Sequence, residues 1–374
     1  MKRENSRSQQ ILNSLVEDIR CGRYAVQSAF PSETALARRF KVSRSLMTLV
    51  FGELEHQGLI VRRQGKGTFL AKRAASRKIG LIIPGVAVSD FFQPILGEIS
   101  RLARAHAYEL NFGEVDYSPS HDVRVRQVRE LAAEFIRQRV AGVIYEPLVG
   151  DHAEEINSHI LRVFDRKGIP VVLLDSDIVP FPARSAYDVI GTNDVRAGAL
   201  IAEHLLAQGA RAIHFHLPPN GPVTFDNRIF GAKAWLLAHG PKTKFAVLRS
   251  ATDDGAALKR HLKAQGRPDA FVCMNDATAV AFRRTLEAAG LQVPRDVLLT
   301  GFADLEAEQD NYYVAISIAS LMTPPLTTVR QDRAEIARAT FRRLLARIAE
   351  PSLPPCSLFL PSPLVARGST AKRR

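Results

Sequence analysis

Hydroxyl, amide and cationic side chains cluster in the first fifth of the sequence, in a pattern suited to hydrogen bonding with another polymer. Arg44, Ser45 and Thr48 fall on the polar side of an apolar-periodic stretch that follows Ser43. The run Gln64 to Gly67 then joins two short apolar stretches. Arginine, lysine and hydroxyl groups are the donors that contact phosphates and base edges in DNA. These residues therefore predict a surface that reads nucleic acid.

Three short helices and a hairpin must position these side chains. Apolar residues recur at i, i+4 and i+8 from Ile11 to Ile19, which indicates a first helix that Gly22 ends. Ser32 and Ser43 are suitable N-caps for a second helix and for a third that runs to about Gln57. Two short helices joined by a tight turn form a helix-turn-helix, whose second helix enters the major groove. The hairpin that follows, with two glycines in its turn, predicts a wing.

The net charge of +13 is concentrated in this part of the chain. Residues 1 to 77 carry 15 Lys or Arg against 6 Asp or Glu, a net charge of +9, and the remaining residues carry only +4. A small basic unit on a nearly neutral body is the electrostatic pattern of a nucleic-acid binder.

Cysteine and apolar content exclude several other classes of protein. Cys21, Cys273 and Cys356 are odd in number and far apart, which supports neither a disulfide framework nor a zinc site. His214 and His216 share a strand face, but two such residues without a third ligand predict no metal. No apolar run reaches the length of a membrane helix, and the N-terminus does not resemble a signal peptide. We therefore expect a cytoplasmic protein with no cofactor, metal or membrane partner.

Several motifs of the basic unit occur in register with a known family: Phe30-Pro31-Ser32-Glu33, Leu36-Ala37, Val42-Ser43-Arg44, Gly58-Leu59-Ile60 and Gly65-Lys66-Gly67-Thr68-Phe69. With them, residues 8 to 71 resemble the winged helix-turn-helix head of GntR-type bacterial transcription regulators. The family usually has arginine where this chain has Thr34 and Thr48, so we expect a different operator preference. The resemblance implies that double-stranded DNA is contacted by Ser32, Thr34, Ser43, Arg44, Ser45, Thr48, Gln64, Gly65, Lys66 and Gly67.

Beyond a basic linker at 72 to 77, short apolar runs alternate with amphipathic stretches. The runs are near 79–83, 142–145, 170–174, 212–215, 245–248, 270–273 and 297–300, and the intervening helices include about 94–107, 124–138, 154–167, 195–208, 229–238, 255–264 and 276–289. This alternation predicts an α/β fold with doubly wound parallel sheets, and about 290 residues favour two lobes with a cleft between them. We expect a head at 1–71 and an effector-binding and dimerisation body at 78–374.

The body also carries motifs of a known family, among them Ile79 to Pro84, Ser89 to Phe92, Thr192-Asn193-Asp194, Arg228 to Gly231, Gly301-Phe302 and Leu326 to Gln331. Residues 78 to 370 resemble the effector domain of LacI/GalR-type regulators, which is related to type I periplasmic sugar-binding proteins. The combination with a GntR-type head, together with Tyr145-Glu146-Pro147, resembles the arabinose-repressor type of GntR regulator. The resemblance implies an effector site formed by Asp90, Phe91, Glu146, Asp175, Thr224, Arg228, Asn275 and Asp276.

These residues suit a polyol, because carboxylates, amides and guanidinium groups bind hydroxyls and aromatic rings cover the apolar face of a sugar. Each also has a structural alternative: Asp175 or Asp276 as a capping or loop acid, Phe91 in the core, and Arg228 in a structural ion pair. The family generally has an aspartate after Gly301-Phe302, and this chain has Ala303 followed by Asp304. That departure leaves the identity of the sugar open.

The sequence favours a ligand-responsive transcriptional regulator, most simply a repressor, that binds a palindromic operator as a homodimer. An enzyme with a winged head is one alternative, but the sequence contains no nucleophile elbow, His-Glu-x-x-His motif, phosphate loop or dinucleotide fingerprint. A sugar-binding module without DNA function is another, and the +9 head argues against it.

Overall fold

The computed structural model describes residues 2–20, 24, 29–63, 65–71, 78–85, 89, 91–113, 115, 120–219, 223–304 and 322–371. Within these ranges no helix is both long enough and apolar enough to cross a membrane.

The head is a winged helix-turn-helix, as predicted. Its elements are α1 (Lys2–Arg20), α2 (Glu33–Phe40), α3 (Arg44–His56), β1 (Ile60–Arg63) and β2 (Gly67–Leu70). Ser32 and Ser43 cap α2 and α3: their side chains accept from the backbone N–H groups of Ala35 and Leu46, at 3.2 and 3.3 Å. The two strands pair antiparallel to form the wing. All three helices and the wing contribute to one apolar core, which fixes α3 in place.

Strands alternate with helices through the rest of the chain. In order they are β3 (Lys78–Ile82), α4 (Phe92–Ala105), β4 (Glu109–Phe112), α5 (His121–Arg137), β5 (Gly142–Tyr145), α6 (Ala153–Arg166), β6 (Val171–Leu174), β7 (Asp188–Thr192), α7 (Asp194–Ala207), β8 (Ala212–Leu217), α8 (Val223–His239), β9 (Lys244–Arg249), α9 (Gly255–Gln265), β10 (Ala270–Cys273), α10 (Asp276–Ala288), β11 (Leu298–Thr300), β12 (Thr328–Val329), α11 (Arg333–Ala349), β13 (Ser357–Leu360) and β14 (Leu364–Val365).

Two parallel sheets define the two predicted lobes. The first lobe has the strand order β13-β7-β6-β5-β3-β4, and the second has β11-β10-β8-β9. Helices α5 and α6 cover one face of the first sheet, and α4 and α11 cover the other. Helices α7 and α8 lie on one face of the second sheet, opposite α9 and α10. Both sheets are therefore doubly wound, which explains why most of their strands are apolar throughout.

The body contains elements beyond those read from the sequence: β4, β7, β12, β13, β14 and α11. Strands β4 and β13 lie at the two edges of the first sheet and carry partly exposed residues, so they lack a continuous apolar run. After β7 the chain enters the second lobe, and it returns through α11 and β13 before β14 pairs with β12. Within the described residues the chain thus crosses between the lobes three times, near residues 193, 331 and 362.

Helices α7 and α8 pack at unusually short range because each has a glycine at the contact. A Cβ at Gly198 would lie 1.9 Å from the carbonyl oxygen of Arg228, and one at Gly231 would lie 1.8 Å from that of Val195. Both distances are shorter than any real contact. The two glycines therefore bring the first turn of α7 next to Arg228 on α8.

Substituting Gly198→Ala should separate these helices. We expect a loss of about 2 kcal/mol or more in the free energy of unfolding, the usual cost of overpacking a well-packed contact. Urea unfolding of the purified chain would measure it. Gly97 in α4 is the matched control: it is an exposed helical glycine with open space around its Cβ position. Gly97→Ala should leave stability unchanged or raise it by up to ~1 kcal/mol. Equal effects of the two substitutions would contradict the close α7–α8 contact.

Candidate functional sites in the head and between the lobes

The exposed face of α3 carries three of the predicted DNA contacts. Arg44, Ser45 and Thr48 are all exposed, while Met47 and Phe51 on the opposite side are fully buried. The cap residue Ser43 is also exposed, and its hydroxyl lies 3.1 Å from that of Ser45. The helix thus presents one guanidinium and several hydroxyl groups at its N-terminal end, where recognition helices contact base edges.

The hydroxyl of Thr48 is already engaged within the head. Thr48 Oγ1 lies 2.8 Å from Glu33 Oε2 and 3.1 Å from the carbonyl oxygen of Arg44. Arg62 on β1 pairs with the same Glu33, at 3.0 Å, and with Glu55 on α3, at 3.2 Å. This network ties α2, α3 and the wing together. Thr48 thus contributes to the placement of the wing, a role that the sequence pattern did not predict.

The wing turn has the backbone conformation that glycine favours. Gly65 and Gly67 have φ values of +71° and +99°, and the N–H of Lys66 donates to the carbonyl of Arg63, at 2.9 Å. Gly65, Lys66 and Gly67 are exposed. Thr34 is exposed on α2, as is the cap residue Ser32, whereas Gln64 lies outside the described residues.

Between the lobes lies a cavity of about 290 Å³ at the carboxyl ends of the central strands. Residues of the first lobe that line it include Ser89, Phe91, Phe92, Glu146 and Asp175. The second lobe contributes Thr224, Arg228, Met274, Asn275, Phe302 and Ala303, among others. Most of the predicted effector residues therefore meet in one place, at the edge where parallel-sheet proteins bind ligands.

Two carboxylates of the cavity wall each have one oxygen without a hydrogen-bond partner in the described part of the chain. Oε2 of Glu146 and Oδ1 of Asp175 are both enclosed and without a partner. Burial raises the pKa of Glu146 well above its ordinary value, and the neighbouring Asp175 raises it further. Burial also raises the pKa of Asp175, to about 7, with a further contribution from Asp194 that Arg228 opposes. These oxygens are acceptors available to a donor on a ligand.

Arg228 is both a structural and a cavity residue. Its Nε donates to Asp194 Oδ1 at 2.6 Å, and Nη1 donates to the carbonyl of Met274 at 2.7 Å. Its guanidinium carbon lies 3.4 Å from the centroid of the Phe302 ring. The structural ion pair that the sequence left open is therefore present, and the charge of Arg228 is compensated before any ligand enters. Thr224, one turn earlier on α8, is buried in the same wall.

Asn275 lines the cavity while it caps α10. Its Oδ1 accepts from the N–H of Thr278 at 2.8 Å, and Thr278 Oγ1 accepts from the N–H of Asn275 at 2.9 Å. Since the cap engages Oδ1, the side-chain nitrogen is the donor that Asn275 can offer to a ligand.

Asp276 does not line the cavity, in contrast to the prediction. It is fully buried, and its Oδ1 accepts from Thr328 Oγ1 at 2.7 Å. A Cβ at Gly301 would lie 2.1 Å from the same oxygen. Asp276 thus lies behind the wall, beside Thr328 of β12 and the backbone of Gly301, and the N-cap of α10 is Asn275 rather than Asp276.

Phe91 lies both against the core of the first lobe and at the cavity. Its ring packs edge-on against Phe92, with centroids 4.8 Å apart, and joins the core of the first lobe while also lining the cavity. Asp90 lies outside the described residues.

The structure adds Asp194 and Gln331 to the residues selected from the sequence, along with lining residues such as Ser89, Phe92, Met274 and Phe302. Asp194 holds Arg228, and Gln331 lines the cavity while its Nε2 donates to Thr192 Oγ1 at 2.8 Å. Both belong to segments that carry the resemblance to LacI/GalR-type regulators, so the signal was present at the level of motifs.

Ala303 and Asp304 have opposite environments. Ala303 lines the cavity with a φ of +105°, whereas Asp304 is fully buried and pairs with Arg330 and Arg367, each at 2.6 Å. The aspartate that follows Ala303 therefore belongs to an ion-pair network of the second lobe and provides no carboxylate to the cavity.

The two histidines of β8 have separate partners within the second lobe. His214 Nδ1 lies 2.9 Å from Nε2 of His261, and His216 stacks on Phe282 with centroids 3.8 Å apart. Among the described residues no group of three or more His, Cys, Asp or Glu is placed to hold a metal ion.

Comparison with protein families finds matches to two segments of the chain. Residues 7–70 match the family described as "Bacterial regulatory proteins, gntR family", and residues 202–370 match "Periplasmic binding protein-like domain". The arabinose metabolism transcriptional repressor of Geobacillus stearothermophilus is 23% identical over 96% of this chain and 96% of its own length. The ribose operon repressor of Escherichia coli K12 is 27% identical over 76% of this chain and 81% of its own.

Solved structures show the same fold. A cellobiose complex of the transcriptional regulator CelR has a TM-score of 0.63 at 20% identity and covers 91% of this chain and all of its own. A LacI family transcriptional regulator from Enterococcus faecium, with bound ribose, has a TM-score of 0.62 at 23% identity and covers 79% of this chain and all of its own.

The ion-pair network around Asp304 can be tested by substitution. Asp304→Asn should lower the free energy of unfolding by about 3 kcal/mol, because it leaves the mostly buried Arg367 without its counter-charge. Asp226→Asn is the control, since its pair with Arg249 is largely exposed and should be worth less than ~1 kcal/mol. Urea unfolding measures both. If the two substitutions had similar small effects, Asp304 would not be the buried centre of the network.

Proposed function

We propose that this chain, in which a GntR-type winged head is joined to a periplasmic-binding-protein-like body, is a transcriptional repressor whose affinity for DNA is set by a sugar bound between the lobes. The observation that carries the proposal is the cavity itself: it joins the two lobes and presents unpartnered carboxylate oxygens. The basic winged head on the same chain supplies the DNA-binding part. The named relatives are repressors of sugar metabolism, which agrees with this assignment.

A small uncharged polyol fits the cavity best. Its volume of about 290 Å³ lies at the lower limit for ligand sites, which favours a ligand no larger than one or two sugar rings. Hydroxyl groups can donate to Glu146 and Asp175, and the Phe91 and Phe302 rings can cover an apolar sugar face. Because Asp194 already compensates Arg228, a ligand carboxylate or phosphate would meet two acids and no unpaired cation among the described lining residues.

Binding would control the head by changing how the two lobes close. A ligand shifts such an equilibrium only through its different affinities for the two states. We further propose a homodimer assembled through the body, with each head on one half-site of a palindromic or pseudo-palindromic operator. The two half-sites would then be spaced by the helical repeat of DNA. We propose no catalytic activity; the relatives are regulators.

The two activities should separate in single variants. Arg44→Ala removes a guanidinium from the reading face and should weaken binding to a duplex selected from a random library by roughly ten- to a hundredfold. Glu146→Gln should leave that binding intact in the absence of sugar and weaken sugar binding by about tenfold. Gel-shift titration and calorimetry measure the two affinities. If each variant lost both activities without unfolding, the two-site assignment would be wrong.

The charge of the ligand provides a second test, which compares each neutral sugar with a derivative that carries one acidic group. Thermal unfolding should shift upward with a neutral sugar and much less with its acid or phosphate, as in galactose against galacturonate or ribose against ribose 5-phosphate. A neutral ligand at a hundred times its Kd contributes about 2.7 kcal/mol of stabilisation. Stronger stabilisation by the acidic member of each pair would contradict the charge argument while leaving DNA binding untouched.

A further inference from the structure

The reading face of α3 carries one large apolar side chain. Leu49 is 71% exposed, the most exposed large apolar residue of the described head, followed by Val61 at 45%. Ser45 and Gly52, four residues before and three after Leu49, are also exposed. Residues three or four apart on a helix are neighbours, so Ser45, Leu49 and Gly52 form one continuous strip on the outside of α3.

The fold of the head gives no reason for this strip. Leu49 is absent from the apolar core that contains its neighbours Met47, Val50 and Phe51. Gly52 is inside a helix, where glycine is unfavourable, yet a Cβ there would have nothing within 4 Å. The hydroxyl of Thr48, on the other side of the strip, is held by Glu33. The strip therefore presents to a binding partner mainly the apolar side chain of Leu49, next to the unobstructed surface of Gly52.

A major groove has one apolar feature, the C5-methyl group of thymine, and its other base edges are hydrogen-bond donors or acceptors. Contact between an exposed leucine and this methyl group is favourable, because it buries apolar surface of both. Contact between the leucine and the other base edges is unfavourable, because it removes their polar groups from water without a hydrogen-bond partner. We propose that Leu49 is a specificity-determining residue that packs on a thymine methyl in each half-site. This inference rests on the proposed entry of α3 into the major groove.

The experiment removes only the methyl group from DNA. A duplex is first selected from a random library with the full-length protein, and each thymine is then replaced singly by deoxyuridine, which pairs identically but lacks the methyl. We expect one sensitive position in each half-site, where binding weakens roughly fourfold, as expected for loss of one buried methyl. Gel-shift titration measures each duplex.

Leu49→Ala identifies the side chain that contacts this methyl. The variant should bind the thymine duplex more weakly and should lose the deoxyuridine effect at that position alone. Val61→Ala, an exposed apolar residue on the wing, is the matched control and should keep the effect. Since Leu49 is exposed, the variant should unfold at the wild-type temperature, which thermal unfolding checks.

Three results would overturn the inference. They are the absence of any position sensitive to deoxyuridine, an unchanged deoxyuridine profile in Leu49→Ala, and a change of oligomeric state in that variant on sedimentation, which would assign Leu49 to a protein contact. Each is compatible with operator binding that Arg44→Ala weakens, so the proposed function would stand. If no duplex can be selected at all, the proposed function fails together with the inference.

Discussion

The interlobe cavity depends on the ion pair between Asp194 and Arg228. Asp194 is the first residue of α7, and Arg228 lies about one turn into α8. Arg228 Nε reaches Asp194 Oδ1 at 2.6 Å because Gly198 and Gly231 let the two helices approach so closely. Asp194 is the first residue of the second lobe after the crossing from β7, so the pair also fixes where the chain enters that lobe. A buried pair of this kind contributes little net stability, but removal of either partner is costly. Its main effect here is to hold the guanidinium group of Arg228 against the Phe302 ring and to compensate the positive charge of that group.

The electrostatics of the cavity follow from that neutralisation. With Arg228 compensated by Asp194, Glu146 and Asp175 are the remaining ionisable groups of the described lining, and burial raises the pKa of both, which favours their protonated forms. The second lobe could have added a third carboxylate after Phe302, but Asp304 is used to pair Arg330 and Arg367. The acids that line the cavity therefore lie on one wall, in the first lobe, beside the Phe91 and Phe92 rings, and the other wall presents Phe302, Asn275 and the compensated Arg228.

Local sequence signals predicted the head and the central strands well and the details of the cavity less well. Ser32 and Ser43 cap their helices as predicted, because an N-cap depends on residues within one helical turn. Strands β3, β5 and β6 are buried on both faces and so appear as unbroken apolar runs, whereas the edge strands β4 and β13 do not. Asp276 was assigned incorrectly to the cavity, and Asp194 was overlooked. Their respective partners, Thr328 and Arg228, are distant in sequence, and only the packing of the second lobe brings each pair together.

The three crossings between the lobes have a consequence for synthesis on the ribosome. The first sheet needs β13, from residues 357–360, to complete its edge, and the second lobe needs the segment after it, where Arg367 reaches Asp304. Neither lobe is a continuous stretch of chain, so both remain incomplete until residues 357–367 have emerged. The head, in contrast, is formed entirely from residues before 72. A nascent or prematurely terminated chain would thus contain every residue of the reading face and lack the body that we propose controls it.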